Sequence, residues 1–368
     1  MRRGGPRVLM RVDGSLSIGT GHVVRCLTLA ETLAGCGASV EFVCRTLDGD
    51  LSDRVEARGF PVRRLPRCAS DAAAGVDPSL SVRWLAADWR TDAEQTIAGG
   101  AASISGWEWI VVDHYGFDWR WERHVRARAE RVFVVDDLAD RRHDADLLLD
   151  QNYAAVTDRY AGLVPPRCRV LEGPSFALLD VNYRSARDRL RTRTGECERL
   201  IVFFGGVDLT NDTAKALRAI AASRLRTLRI DVVIGDGNPH RREVSELVTQ
   251  LPFATLHVQL PDLARLIASA DLAIGAGGTA TWERCCLGLP SVLVASAANQ
   301  EPTLRALAGD GIVSYLGPSD DVTVADVVEA LERATDRRWL RDVAERCQAL
   351  VDGRGADRVA AAMGFLPT

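Results

Sequence analysis

Gly19-Thr20-Gly21-His22 puts a histidine, the only one in the first hundred residues, at the mouth of a helix. A short strand, Val8-Leu9-Met10-Arg11-Val12, precedes it and ends in Asp13; apolar Val23, Cys26, Leu27, Leu29, Ala30 and Leu33 follow at helical spacing, and Gly35 and Gly37 supply a stop. The partial positive charge at a helix start disfavours a protonated imidazole, so His22 is expected as a neutral ring able to accept a proton. The plain alternative is a histidine packed into the first helical turn with no chemistry.

A second constellation is Gly277-Gly278-Thr279-Ala280-Thr281-Trp282-Glu283, which follows a buried strand and opens a helix. Backbone N–H groups at such a start, with the Thr279 and Thr281 hydroxyls nearby, make an anion site. Glu283 does not stand three residues after a Ser or Thr, so no capping box needs it. One turn into the helix, it is placed to accept hydrogen bonds from a ribose whose phosphates sit on the turn; the alternative is a surface acid favoured by the helix dipole. The turn is not Gly-x-Gly-x-x-Gly and lacks a P-loop lysine, which weighs against dinucleotide oxidoreductases and phosphoryl transfer. Beyond the next strand, Ser291 to Ala295, stand Asn299, Gln300 and Glu301.

The elements that must hold these residues alternate between strand-like apolar runs and helical patterns, the mark of an α/β chain with parallel sheets covered on both faces. In the first half the strands end in acid: Val12-Asp13, Val112-Asp113, Val135-Asp136-Asp137 and Leu149-Asp150. In the second half they end in glycine: Phe204-Gly205-Gly206, Ile234-Gly235 and Ala276-Gly277-Gly278. Ligands bind at the carboxyl edge of such sheets. Carboxylates repel a phosphate and glycines let backbone N–H groups approach one, so an anionic group is expected on the second half and a neutral polyol on the first. Taken singly, such Asp and Gly residues only form turns and caps.

A chain of 368 residues suits two domains, with a linker expected from Gly173-Pro174 to Arg193 and a tail, Arg337 to Phe365, that is helical by pattern. The domains are set at 1–180, carrying the base and the sugar side, and 181–368, binding the nucleotide and ending in helices. A net charge of −4 argues against nucleic acid as a partner. Met1 to Pro6 has no apolar region after its arginines, and no run approaches the roughly 20 residues of a membrane span, so a cytoplasmic protein is expected. Nine irregularly spaced cysteines without Cys-x-x-Cys, several in apolar patterns such as Cys26, Cys44, Cys285 and Cys286, read as buried reduced thiols. No metal-ligand spacing is present, and neither a metal nor another cofactor is expected. Oligomeric state stays open.

Arg11-Val12-Asp13 followed by Ile18-Gly19-Thr20-Gly21-His22-Val23-Val24-Arg25-Cys26-Leu27 resembles the opening signature of the UDP-2,4-diacetamido-2,4,6-trideoxy-β-L-altropyranose hydrolases of pseudaminic acid biosynthesis. Val112-Asp113-His114-Tyr115, Val135 to Asp140, Gly173 to Leu179, Phe204 to Asp208 and Gly277 to Arg284 are similar to later blocks of that family in the same order. Spore-coat polysaccharide proteins share much of the pattern. The resemblance implies two Rossmann-like domains in a glycosyltransferase-B-like fold, similar to that of the cell-wall N-acetylglucosaminyltransferase that makes lipid II, with UDP held mainly by the C-terminal domain. It implies metal-independent, inverting cleavage of the anomeric C–O bond, with His22 as base and Tyr115 and Asn299 lining the sugar pocket. One departure stands out: Gly14 replaces the family's small side chain after Asp13, which is expected to enlarge or reshape that pocket.

The candidate catalytic set is therefore His22, Asp13, Tyr115 and Asn299. The candidate substrate-binding set is Gly19, Gly21, Arg25, Gly205, Gly206, Gly277, Gly278, Thr279, Glu283 and Gln300. Asp13 and Asp137 are expected to orient His22, the sugar or the attacking water. The leading expectation is hydrolysis of a UDP-activated amino- or acetamido-sugar. A glycosyltransferase with another hydroxyl as acceptor, and a catalytically silent nucleotide-sugar sensor, are the rivals.

Overall fold

The computed structural model describes residues 5–15, 18–67, 87–98, 106–190, 192–260 and 262–366. Part of the leader reading, residues 1–4, and Arg191 of the expected linker lie outside the described residues. Two compact units result: Met1–Asn152 with Val156–Leu178 and Gly355–Thr368, and Leu179–Arg354 with Tyr153–Ala155.

The first unit runs β1 (Arg7–Val12), α1 (Gly21–Gly35), β2 (Ser39–Arg45), α2 (Ser52–Ala57), β3 (Val62–Leu65), α3 (Trp89–Ala98), β4 (Trp107–Asp113), α4 (Trp119–Val125), β5 (Ala129–Val135), β6 (Leu147–Asp150) and β7 (Arg169–Glu172). Its seven strands lie in the order β3-β2-β1-β4-β5-β6-β7, and their pairings are parallel. Residues alternate across β1: Val8, Met10 and Val12 join a core with α1, while Leu9 joins Ile110, Trp121 and Val125 on the other face.

The second unit runs α5 (Val181–Arg187), β8 (Arg199–Phe203), α6 (Asp212–Ala222), β9 (Arg229–Ile234), α7 (Arg241–Val248), β10 (Ala254–Val258), α8 (Leu263–Ser269), β11 (Leu272–Ala276), α9 (Thr279–Cys286), β12 (Ser291–Ala295), α10 (Glu301–Gly309), β13 (Ser314–Pro318), α11 (Val324–Arg333) and α12 (Arg337–Leu350). Its six strands are again parallel, in the order β10-β9-β8-β11-β12-β13. Strand order reverses between β1 and β4 in one sheet and between β8 and β11 in the other. These are the switch points, where a crevice opens beyond the carboxyl ends.

Two expectations about the chain's course change. The linker segment contains α5, fixed within the second unit by Arg187, which donates to the carbonyls of Cys286, Gln348 and Val351. The helical tail breaks after Leu350, and its last piece, α13 (Gly355–Ala362), belongs to the first unit, so the second ends at Arg354. The reason is apolar burial: Ala356, Val359, Ala360, Met363 and Phe365 share a core with Leu29 and Leu33 of α1. Trp109 adds a hydrogen bond from Nε1 to the Met363 carbonyl at 3.1 Å. Cysteines 26, 44, 285 and 286 are buried and unpaired.

Candidate active site

At the first switch point Val12 of β1 stands opposite Asp113 of β4, so Asp13, Asp113, His114 and Tyr115 gather at one carboxyl edge. His22 is the second residue of α1, whose N-cap, Thr20, makes no side-chain cap. Its Nδ1 lies 2.6 Å from Asp113 Oδ1. With Nδ1–H donating to that carboxylate, Nε2 is the ring nitrogen left to accept a proton. A carboxylate, and not the helix start alone, therefore orients the ring.

Arg25 lies one turn further along α1. It donates from Nε to Asp113 Oδ2 at 2.6 Å and from Nη2 to Oδ1 at 2.7 Å, a fork on one carboxylate. Its Nη1 donates to Asp137 Oδ2 at 3.1 Å, and the Tyr115 hydroxyl donates to Asp137 Oδ1 at 2.5 Å. The Tyr115 ring stands edge-on to His22 with centroids 4.8 Å apart. A chain of hydrogen bonds thus joins His22, Asp113, Arg25, Asp137 and Tyr115. Burial would raise the Asp113 carboxyl, but the Arg25 guanidinium and His22 hold it well below the usual carboxylate range. Burial and the neighbouring Asp137 push the Tyr115 phenol up, so it remains protonated.

Three expectations are revised here. Arg25, expected against substrate, is 3% exposed and commits all its guanidinium nitrogens to carboxylates. Asp13, expected to orient His22 or the sugar, accepts two bonds from Arg11 at 2.5 and 2.8 Å and one from the Arg45 backbone N–H at 2.7 Å. His114 adds a contact at 3.4 Å, and Arg11 turns its remaining bonds to buried Asp92. The carboxylate on His22 is Asp113, which the sequence shows only as one of several strand-terminal acids. Gly14, expected to enlarge a pocket, faces packed atoms: a Cβ there would stand 2.9 Å from Val23 Cγ2 and 3.1 Å from Leu51 Cδ1. Glycine fits a loop pressed on α1. Gly19 takes φ +86° in the turn that its N–H closes onto the Ser15 carbonyl at 2.8 Å, and Gly21 opens α1.

At the second switch point the two glycine turns differ. After β8, Asp208 accepts from the N–H groups of Asp212 and Thr213 at 3.0 and 2.9 Å, so the start of α6 already holds a carboxylate. Gly206 accepts the Gly235 N–H at 2.9 Å, and a Cβ on Gly235 would come within 2.4 Å of that oxygen. Gly206 and Gly235 thus allow two loops to touch, while Gly205 makes the bend with φ +94°. These contacts explain the glycines without a ligand.

After β11 the N-cap of α9 is Gly278, at φ +83° and without a side-chain cap, and Thr279 opens the helix. A Cβ on Gly277 would stand 3.1 Å from Gln300 Oε1, and one on Gly278 would stand 3.5 Å from Gln300 Nε2. Gln300 therefore lies over the turn, with Oε1 accepting the Ser296 N–H at 3.0 Å. Half-buried Asn299 precedes it in the short helical turn Ala298–Gln300. Glu283 is half-buried, so it is not a surface acid. Burial pushes its carboxyl up, while a hydrogen bond with Tyr183 of α5 pulls the other way. Tyr183, distant in sequence, carried no local signal.

The structure places His22, Arg25 and Tyr115 together in the first unit. It places Gly277, Gly278, Thr279 and Gln300 at one turn of the second, with Glu283 further along α9 and Asn299 beside Gln300 in the following short helical turn. Two Rossmann-like units define a glycosyltransferase-B-like fold, and solved structures of that architecture superpose along the chain. Acinetobacter baumannii MurG covers 98% of this chain and 99% of its own at a TM-score of 0.64 and 14% identity. CalG4, the calicheamicin glycosyltransferase, covers 100% of each at 0.65 and 18%, and Arabidopsis thaliana UGT89C1 complexed with UDP covers 97% and 99% at 0.66 and 14%.

In sequence the chain is similar to the UDP-2,4-diacetamido-2,4,6-trideoxy-β-L-altropyranose hydrolase of Campylobacter jejuni, 24% identical over 306 residues, 83% of this chain and 97% of that protein. It is also similar to the spore coat polysaccharide biosynthesis protein SpsG of Bacillus subtilis, 27% identical over 219 residues, 59% of this chain. That match spans 64% of SpsG, less than two thirds of its length. No family model matches the chain. No helix among the described residues is long and apolar enough to cross a membrane.

Proposed function

We propose that the protein is an enzyme acting on UDP-sugars, and that it hydrolyses a UDP-activated amino- or acetamido-sugar with inversion. Water attacks the anomeric carbon as the C–O bond to the diphosphate breaks; the bonding electron pair leaves with UDP, and His22 Nε2 takes the proton that water sheds. Asp113 holds the ring by Nδ1–H and stabilises the imidazolium as it forms. General-base help of this kind is worth about 10²- to 10⁴-fold. Uncapped N–H groups at the start of α9 stabilise the departing diphosphate, and Glu283 receives the ribose hydroxyls. No divalent ion enters these steps.

The observation that carries the reading is the His22–Asp113 pair, at 2.6 Å and clamped by Arg25. Incubation with a panel of UDP-sugars tests it, with UDP release and anomeric configuration followed by proton NMR. UDP and an inverted free sugar should appear from donor alone, and should still appear after exhaustive EDTA treatment and desalting. UDP release only when an acceptor alcohol is added would identify a glycosyltransferase. Tight binding without turnover over hours would identify a sensor.

A further inference from the structure

Arg284 lies in the second turn of α9, and helical side chains lean toward the helix N-terminus. Its guanidinium accordingly reaches back beneath the Gly277–Gly278 turn. Nη2 donates to the Ala276 carbonyl at 2.6 Å and to Thr281 Oγ1 at 3.4 Å. Nη1 flanks β11, where a Cβ on Gly275 would stand 3.2 Å from it. Arg284 is 3% exposed, and its Nε has no hydrogen-bond partner among the described residues.

The contrast with the other buried arginines is sharp. Arg25 and Arg11 each span two carboxylates and Arg45 reaches Asp92, whereas the hydrogen bonds of Arg284 end on neutral oxygens. Glu283, its neighbour in sequence, acts on it electrostatically against a burial that disfavours the charge, but makes no hydrogen bond or ion pair with it among the described residues. A buried cation without a bound anion is costly; Arg187 and Arg193 also rest on carbonyls but stay partly exposed, whereas Arg284 does not.

We infer that Arg284 is a positioning residue for a diphosphate, a fixed positive charge behind the Gly277–Gly278 turn that an incoming phosphate neutralises. The inference rests on the reading of that turn as the diphosphate site. It adds a fixed counter-charge to the turn's N–H groups, and the ligand class is a pyrophosphate or a nucleotide bearing one.

Calorimetry with inorganic pyrophosphate, UDP and uridine on the wild type, Arg284→Gln and Arg284→Lys tests this. Glutamine keeps a donor for the Ala276 carbonyl and removes the charge. Its affinity for pyrophosphate, and the advantage of UDP over uridine, should fall about 10-fold or more, while uridine binding stays constant. Lysine should restore much of that advantage, a rescue that a bracing role would not produce. A glutamine variant that melts like the wild type and binds pyrophosphate equally well overturns the inference.

Should glutamine prevent folding, the wild type decides: millimolar pyrophosphate must raise its melting temperature, and no shift overturns the inference. Because pyrophosphate carries no sugar, a failure of hydrolysis leaves this result intact. Equal wild-type affinity for UDP and uridine would defeat the inference and the diphosphate reading of the turn together.

Discussion

Between β1 and β4 the buried charges answer one another: Arg25 spans Asp113 and Asp137, and Arg11 spans Asp13 and Asp92. Between β8 and β11 the strand ends bend on glycine, and the buried Arg284 rests on neutral oxygens. The two sheets share a topology and treat charge in opposite ways. A closed network fixes side-chain geometry, which suits a base that must point in one direction. An uncapped turn over a cation that no carboxylate hydrogen-bonds leaves electrostatic work for a ligand. Changes in the first unit should therefore act on stability and turnover, and changes in the second on nucleotide affinity.

Asp113→Ala should test this division most severely. It leaves Arg25 without its forked partner, and removing one member of a buried pair costs about 3–5 kcal/mol, readable in denaturant unfolding. The same carboxyl sets an acid limb. Its folded pKa lies below the unfolded value of about 3.9, so its stabilisation is present above that pH and is lost as pH falls through the folded pKa. Asp113→Asn should flatten that limb; an unchanged acid profile would show that the pair does not stabilise the unit.

His22→Asn should lower kcat by about 10²-fold or more and leave UDP affinity nearly unchanged. Turnover near the wild-type rate would remove His22 from the chemistry. Glu283→Ala should instead weaken UDP by about 1.5–3 kcal/mol and leave the first unit's acid limb in place. Tyr183→Phe is its control, since it removes the internal hydrogen bond and keeps the carboxylate. Equal UDP binding in the alanine variant would return Glu283 to a structural role. The smallest effect is expected from Gly14→Ala, a loss of about 1–2 kcal/mol by overpacking against Val23 and Leu51. A variant that instead gains stability would show that this loop has room to spare.

The central strands β1, β4, β5, β6, β8, β9, β11 and β12 are legible in the sequence because burial on two faces demands continuous apolar runs. The edge strands β3, β7, β10 and β13 are not: Val62-Arg63-Arg64-Leu65 and Arg169-Val170-Leu171-Glu172 mix charge with apolar residues, as one exposed edge permits. The helix-mouth position of His22 and the turn at Gly278 depend on neighbours in sequence, so local pattern reveals them. The His22–Asp113 contact depends on β4 lying beside β1. Strand order is invisible locally, so the sequence points to Asp13 and Asp137 rather than to Asp113. The charge of the strand-terminal acids is likewise decided by the fold. Asp13, Asp113, Asp136 and Asp150 are each paired with an arginine, so they repel an anion less than their number suggests.

The return of α13 to the first unit bears on how the polypeptide matures as it leaves the ribosome. Residues 179–354 are consecutive and hold a complete parallel sheet, so this unit can close as soon as it emerges. The unit made earlier must wait. Until Val359, Met363 and Phe365 are synthesised, the face of α1 carrying Leu29 and Leu33 lacks its cover, and the domain that begins first is completed last.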